Sequence, residues 1–369
     1  MTALLHNALG LALVVGLLAW LRRSTSVASV GASRGSITPV RAMGLVAVLM
    51  VLLGVGGLVS AVMLAGSVFA VAGRIAWTVF LHGPLFLIGV AVLWRHSVPV
   101  VALGAFAVAA FVALFALDAF LIEPHWLQVT RLTLPAPRLS QPVRIAVVAD
   151  IQTDRPGRYE ARGLERVMAE SPDLILFAGD YVQVGPRSQG YAAEIEALRD
   201  LLIDANLAAP LGIYAVAGNV DRAGEWAALF AGLPVTVAAE TTRYDLGPLV
   251  LTALSRQDSF QTYTTVEGED VYHIVLGHSP NFSLGAVEAD LLIAGHTHGG
   301  QVRLPLIGPL LTLSSVPRAW AAGVTGIALG KTLIVSRGIG VERAGAPQLR
   351  FCCRPELIVI DLVSEDTEL

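Results

Sequence analysis

Residues 290–301 read Asp290-Leu291-Leu292-Ile293-Ala294-Gly295-His296-Thr297-His298-Gly299-Gly300-Gln301. The apolar run is too short for a helix and is rich in branched side chains, so it reads as a buried strand that breaks at Gly295. On extended backbone, His296 and His298 point the same way, which places two imidazoles side by side at the strand's carboxyl end. The same punctuation recurs on both sides of this stretch. Apolar runs at 143–149, 173–178, 212–217, 249–254, 271–276 and 332–336 alternate with helix-like patterns at 159–170 and 191–206. That succession predicts a layered α/β domain with buried strands. The run at 143–149 ends in Asp150, that at 173–178 in Gly179-Asp180, that at 212–217 in Gly218-Asn219 and that at 271–276 in Gly277-His278.

The carboxyl ends of strands line the ligand crevice of such sheets, so these residues are expected to converge. Two carboxylates, an amide carbonyl and three imidazoles form a donor set suited to Mn, Fe, Zn or Mg. Asp180 is placed to bridge two ions. Taken singly, each residue has a plainer reading: an aspartate or asparagine after a strand is usually a turn or cap residue, and one histidine is as often a hydrogen-bonded core residue. Five strand ends in order, closing on Gly-His-Thr-His-Gly-Gly, carry the metal reading.

On these motifs, with Gln301-Val302-Arg303-Leu304-Pro305, Ser336-Arg337-Gly338 and Cys353-Arg354-Pro355-Glu356 following, the chain resembles the calcineurin-like metallophosphoesterases over residues 143–362, in their bacterial membrane-associated branch. The resemblance implies an αββα two-sheet sandwich with a dinuclear divalent-metal centre. Asp150, Asp180 and His298 would hold one ion; Asp180, Asn219, His278 and His296 would hold the other. It also implies hydrolysis of a phosphate ester or anhydride by a hydroxide held between the ions, with Asp150, Asp180, Asn219 and His296 in the catalytic set.

Two departures bear on mechanism. The family's first motif is Asp-x-His, and here it is Asp150-Ile151-Gln152, so an amide oxygen replaces an imidazole as metal donor and the first ion should bind less tightly, with a bias away from zinc. The third motif lacks its histidine: Gly218-Asn219-Val220-Asp221 stands where Gly-Asn-His-Asp or Glu is usual. Without that proton donor, a leaving group that departs unprotonated, as from a phosphoanhydride, is favoured over an alkoxide. The alternative these departures favour is a membrane-tethered pseudoenzyme, or a metal-dependent sensor or scaffold.

The remaining sequence speaks for lipid. The chain has 369 residues, 54% hydrophobic and 15% charged, and a mean hydropathy of +0.66, which is too apolar for an ordinary soluble protein. Apolar stretches at 3–21, 42–65, 75–94 and 98–122 predict four transmembrane helices. The first lacks a basic n-region and a small-residue cleavage motif, so it reads as a retained span rather than a signal peptide. The expected organisation is a transmembrane region over 1–124, a linker over 125–142 punctuated by Pro135, Pro137 and Pro142, a phosphoesterase domain over 143–363 and a tail over 364–369. Arg22, Arg23, Arg34 and Arg41 make the loop between spans one and two the most basic. The positive-inside rule then puts both termini, and the phosphoesterase domain, outside the cytoplasm.

His6, Asn7, Arg74, His82 and Asp118 read as anchors near the headgroups rather than as a transport route. Residues 1–124 hold six arginines against Asp118 and Glu123, a net +4, leaving −8 for the rest. An acidic second half argues against a nucleic-acid partner. The expected partners are membrane lipids and a phosphate-containing small molecule or lipid-linked substrate. The same branch resembles UDP-2,3-diacylglucosamine hydrolases, which cleave a lipid-linked anhydride at the cytoplasmic face, whereas the charge count here points to the other face, so the substrate stays open. Arg155, Arg158 and Arg162 read equally as receivers of phosphate oxygens or headgroups and as a solvated helix face. Cys352 and Cys353 are adjacent, so they make no disulfide framework and are expected at a buried strand start.

Overall fold

The computed structural model describes residues 2–30, 37–185, 189–328, 330–343 and 345–364. They fall into two compact units, residues 1–119 with 344–347 and residues 120–343 with 348–369.

The first unit is built on the helices α1 (Thr2–Val30), α2 (Pro39–Leu64), α3 (Val68–Trp94) and α4 (Pro99–His125), the last of which runs on into the second unit. All four contain segments long and apolar enough to cross a membrane. Their starts are set locally. Thr38 and Ser67 accept the N–H groups of Arg41 and Ala70 at 3.4 and 3.2 Å, and Pro39 and Pro99 occupy first-turn positions where no N–H is needed. Leu49, Leu53, Phe86, Val90 and Trp94 pack inside, while Val40, Leu52, Val59, Phe111 and Leu114 face outward. A bundle in water would hide such side chains, so this surface is suited to lipid.

Three of the polar residues expected at the headgroups, His6, Arg74 and His82, are instead buried within the bundle. His6 Nε2 donates to the Arg74 carbonyl at 2.9 Å and His6 Nδ1 pairs with Ser60 Oγ at 2.7 Å. His82 closes a π-turn over Thr78–His82 and is likewise fully buried. The wide turn follows Trp77 and rotates the helix before Gly83-Pro84. Within the basic loop over 22–41, Arg34 lies outside the described residues.

The second unit is a sandwich of two six-stranded sheets. Its principal strands are β1 (Gln128–Pro135), β2 (Val143–Val148), β3 (Leu174–Phe177), β4 (Ile213–Val216), β5 (Thr236–Ala238), β6 (Thr242–Asp245), β7 (Leu249–Ala253), β8 (Tyr272–Leu276), β9 (Leu291–Ala294), β10 (Gly323–Ala328), β11 (Lys331–Val335) and β12 (Glu356–Val363). One sheet has the order β1-β12-β2-β3-β4-β5, the other β10-β11-β9-β8-β7-β6. The segment 125–142, read as a linker, is extended but not free: β1 pairs in parallel with β12 from Gln128↔Glu356 to Pro135↔Val363.

Alternation along the strands makes the layers. Ile145, Val147, Leu174 and Leu176 of one sheet meet Leu251, Ile274, Leu291 and Ile293 of the other in the central core. The opposite-face residues Ala146, Val148, Ile175 and Phe177 pack under the helices α5 (Arg158–Ala169) and α6 (Tyr191–Asp204) through Leu164, Val167, Leu198 and Leu202. The outer face of the second sheet, with Val275, Leu292 and Leu333, is closed around Phe282 by short pieces, a helix over Arg256–Phe260 and a 3₁₀ turn over Pro280–Leu284. Burying one such aliphatic side chain is worth about 1.5–3 kcal/mol, so the strand ends that carry the polar residues are mounted on the most stable part of the fold.

Candidate metal centre

Five of the seven candidate ligands sit in the left-handed backbone region: Asp150 (φ 49°), Gln152 (39°), Asp180 (58°), His296 (69°) and His298 (48°). A non-glycine residue there costs about 1–3 kcal/mol, and hydrogen bonds between neighbouring loops hold it. Asp150 N donates to the Gly179 carbonyl at 3.0 Å, Gln152 N to the Asp180 carbonyl at 2.8 Å, and Gly340 N to the Asp150 carbonyl at 2.6 Å. His296 N donates to both Asp150 carboxylate oxygens at 3.0 Å, which ties the two sheets together at their carboxyl ends. Two glycines make room. A Cβ on Gly218 would lie 2.0 Å from Asp180 Oδ1, and one on Gly338, itself at φ +70°, would lie 2.6 Å from Asp150 Cβ.

Asp180, His278 and His296 each offer a ligand atom, all within 4.8 Å of one another. His278 Nδ1 faces the Ala178 carbonyl at 2.7 Å, and a carbonyl only accepts, so Nδ1 carries the proton. In the neutral ring Nε2 is then a lone pair, facing Asn219 Oδ1 at 3.1 Å and Asp180 Oδ2 at 3.3 Å. Three acceptors converge with no donor among them, an arrangement that a cation satisfies. Without a metal a proton takes that place: burial lowers the His278 pKa, but the Asp180 and Asp150 carboxylates outweigh it and hold it at about 9. Burial, then the neighbouring His278, pushes His296 down to about 4, so its ring is neutral and able to ligate. Burial also raises Asp150 to about 7, with Asp180 adding to the rise and His278 opposing it.

Asp150, Gln152 and His298 are buried beside this cluster, and Asp150 and His298 fall outside the 4.8 Å group. Both ring nitrogens of His298 and the carbonyl oxygen of Gln152 are buried without a hydrogen-bond partner among the described residues, which leaves donors for an ion unspent. The Gln152 amide is fixed from behind. Its Nε2 donates to Gln183 Oε1 at 2.9 Å and to Glu342 Oε2 at 3.0 Å, and Gln183 Nε2 donates to Glu342 Oε1 at 2.7 Å. With the NH₂ end occupied, the oxygen is the atom left over. Glu342 therefore stands where a carboxylate would orient an imidazole as readily as an amide. Gln152→His is expected to tighten the weaker metal site by about tenfold, read by competition with a chromophoric chelator; an unchanged affinity would count against Gln152 as a ligand.

Several residues, some of them within the quoted motifs, have roles that the sequence did not disclose. Asp221 accepts the N–H groups of Gly218 (2.7 Å), Asp180 (2.8 Å) and Tyr181 (2.9 Å), clamping two motif loops through one carboxylate. Arg350 is fully buried and donates to the carbonyls of Arg337 (2.7 Å), Gly338 (3.1 Å), Gly340 (2.5 Å) and Cys353 (2.9 Å). It fixes the strap that closes on Asp150. Its one sequence signal is a lone charge between Leu349 and Phe351. The Ser336-Arg337-Gly338 and Pro355-Glu356 motifs serve the same strap: Arg337 pairs with Glu356 at 2.8 Å, and Glu356 N donates to the Gly338 carbonyl at 2.9 Å. Cys353 is buried beside this strap and Cys352 is exposed. The Val220 side chain supplies no proton, but its backbone N–H donates to Asp180 Oδ1 at 2.8 Å.

Comparison with known proteins agrees with this geometry. Residues 143–300 match the calcineurin-like phosphoesterase family. The metallophosphoesterase YkuE of Bacillus subtilis (strain 168) is 28% identical over 264 residues, covering 66% of this chain and 88% of the relative. The phosphodiesterase YaeI of Escherichia coli (strain K12) is 28% identical over 258 residues, covering 65% and 90%. The UDP-2,3-diacylglucosamine pyrophosphatase LpxG of Chlamydia trachomatis is 24% identical over 314 residues, covering 66% and 92%.

Proposed function

We propose that this chain, whose residues 143–300 match the calcineurin-like phosphoesterase family and whose relatives are named as metallophosphoesterase, phosphodiesterase and pyrophosphatase, is a membrane-anchored, metal-dependent phosphohydrolase whose substrate is a lipid-linked phosphoanhydride. The observation that supports it best is the donor-free meeting of His278 Nε2, Asp180 Oδ2 and Asn219 Oδ1. In this reading Asp150, Gln152, Asp180 and His298 would hold the first ion and Asp180, Asn219, His278 and His296 the second. When bound, such ions lower the pKa of water and neutralise phosphate charge. Manganese or iron suits the Gln152 oxygen better than zinc.

The chain's own residues do the rest. The Ala178 carbonyl keeps the His278 proton on Nδ1, so Nε2 stays free to ligate. The Phe260 ring stands edge-on to His296 at 4.8 Å between centroids and shields one side of the imidazole pair from water. Val220 offers no proton to a leaving group, which is why an anhydride, whose leaving phosphate departs unprotonated, suits the site better than an alkyl ester. The name of the LpxG relative, a pyrophosphatase acting on a diacylated nucleotide sugar, supports the same substrate class.

Hydrolysis of a phosphoanhydride lipid by the full-length protein in detergent with Mn²⁺ tests the reading. Metal uptake with no turnover on monoesters, diesters or anhydrides would favour the pseudoenzyme instead. For topology, a reporter that matures only outside the cytoplasm is expected to be active when fused at Leu369. A reporter active only inside would reverse the orientation.

A further inference from the structure

A cavity of about 450 Å³ lies in the second unit between the end of α4 and the first turn of α5. None of the seven candidate ligands lines it. One wall is apolar, formed by Phe120, Leu121 and Pro124; the other carries Arg155, Arg158 and Arg343. The acidic groups nearby are already engaged. Asp154 pairs with Arg343 at 2.9 Å, and Glu160 accepts the Gly157 N–H at 2.9 Å. Arg155 and Arg158 are exposed and make no ion pair among the described residues. Arg162, on the same helix, does not line the cavity.

The place of this wall along the chain identifies the occupant. Phe120, Leu121 and Pro124 belong to the final turns of a helix that is long and apolar enough to cross a membrane and ends at His125, and the next residue, Trp126, is an exposed aromatic stacked under Arg354 at 3.5 Å. Aromatic and basic residues at a span's end mark the headgroup level of a bilayer. A small anion would satisfy the two guanidinium groups and leave the apolar wall bare, whereas a lipid phosphate with its chains beside Leu121, 62% exposed, covers both. We propose that this cavity binds the phosphate of an anionic glycerophospholipid from the surrounding bilayer, at a site separate from the candidate metal centre. Guanidinium groups of Arg155 and Arg158 hold the phosphate, and the end of α4 receives the proximal acyl chain.

The test uses the full-length protein in mild detergent with fluorescent phosphatidylglycerol as probe and phosphatidylcholine as the zwitterionic control. Reversing both charges in Arg155→Glu/Arg158→Glu is expected to weaken phosphatidylglycerol binding by about tenfold or more, the scale of two lost charge-assisted contacts. Arg162→Glu, which adds the same kind of charge outside the cavity, is expected to leave it intact, and millimolar inorganic phosphate is expected not to displace the lipid. Should the double variant fail to fold, Arg155→Gln/Arg158→Gln and Leu121→Glu take its place and are expected to weaken binding in the same sense. Equal loss in Arg162→Glu, equal binding of phosphatidylcholine, or full displacement by inorganic phosphate would each overturn the proposal. Metal uptake at the Asp180 centre, measured on the same samples, separates failure of this site from failure of the phosphohydrolase reading.

Discussion

Asp180→Ala is expected to abolish hydrolysis, by about 10³-fold or more, and to strip both ions, because Asp180 is the carboxylate that both proposed ligand sets would share. Its Oδ2 stands 3.3 Å from His278 Nε2, and its ligand atom lies within 4.8 Å of those of His278 and His296. Removing it also leaves the Val220 N–H without its 2.8 Å partner, a local loss of about 1–3 kcal/mol if water does not reach the group. Asp180→Asn separates the two effects, since the amide oxygen still accepts from Val220 while the negative charge that draws cations is gone. Turnover is expected to fall in both variants and thermal stability chiefly in the alanine one. Hydrolysis by Asp180→Ala at even a tenth of the wild-type rate, with metal content unchanged, would remove Asp180 from the mechanism.

The second large effect concerns Val220. With no imidazole after Asn219, turnover limited by chemistry should depend steeply on the leaving group: aryl phosphates should slow as leaving-group pKa rises, and anhydrides should outrun alkyl esters. Val220→His is expected to restore activity selectively toward poor leaving groups, by ~1–3 kcal/mol of barrier, the lower part of what a positioned acid contributes. The substitution keeps the backbone N–H that bonds Asp180 Oδ1, so the proposed ligand set is left standing and the gain reads as proton donation. A flat leaving-group dependence in the wild type would mean that another group already supplies the proton.

Strand ends with strong punctuation were readable from sequence because burial on both faces leaves near-continuous apolar runs, and the expected runs at 143–149, 173–178, 271–276 and 290–294 differ from β2, β3, β8 and β9 by only a residue or two at each end. What escaped was set by tertiary pairing. β1 mixes Thr and Arg with Val and Leu because it is an edge strand, half exposed, and only its parallel register with β12 makes it part of the sheet. β5 has three residues and β10 has two glycines, so neither carries a period long enough to read. At the site, the candidate ligands were legible because polar residues at strand ends are chemically conspicuous. Glu342 and Arg350, and the role of Asp221 within its motif, were not, because these residues act on an amide, on carbonyls and on backbone N–H groups contributed by segments distant in sequence.

The most direct test is calorimetric titration of metal-depleted, full-length protein with Mn²⁺, with phosphoanhydride hydrolysis followed on the same samples. Saturable uptake of two equivalents is expected, the weaker one at the Gln152 position, with hydrolysis appearing as the second is filled and no uptake by Asp180→Ala. Hydrolysis that survives complete metal removal, or uptake by the wild type no greater than by Asp180→Ala, would contradict the metal-dependent reading.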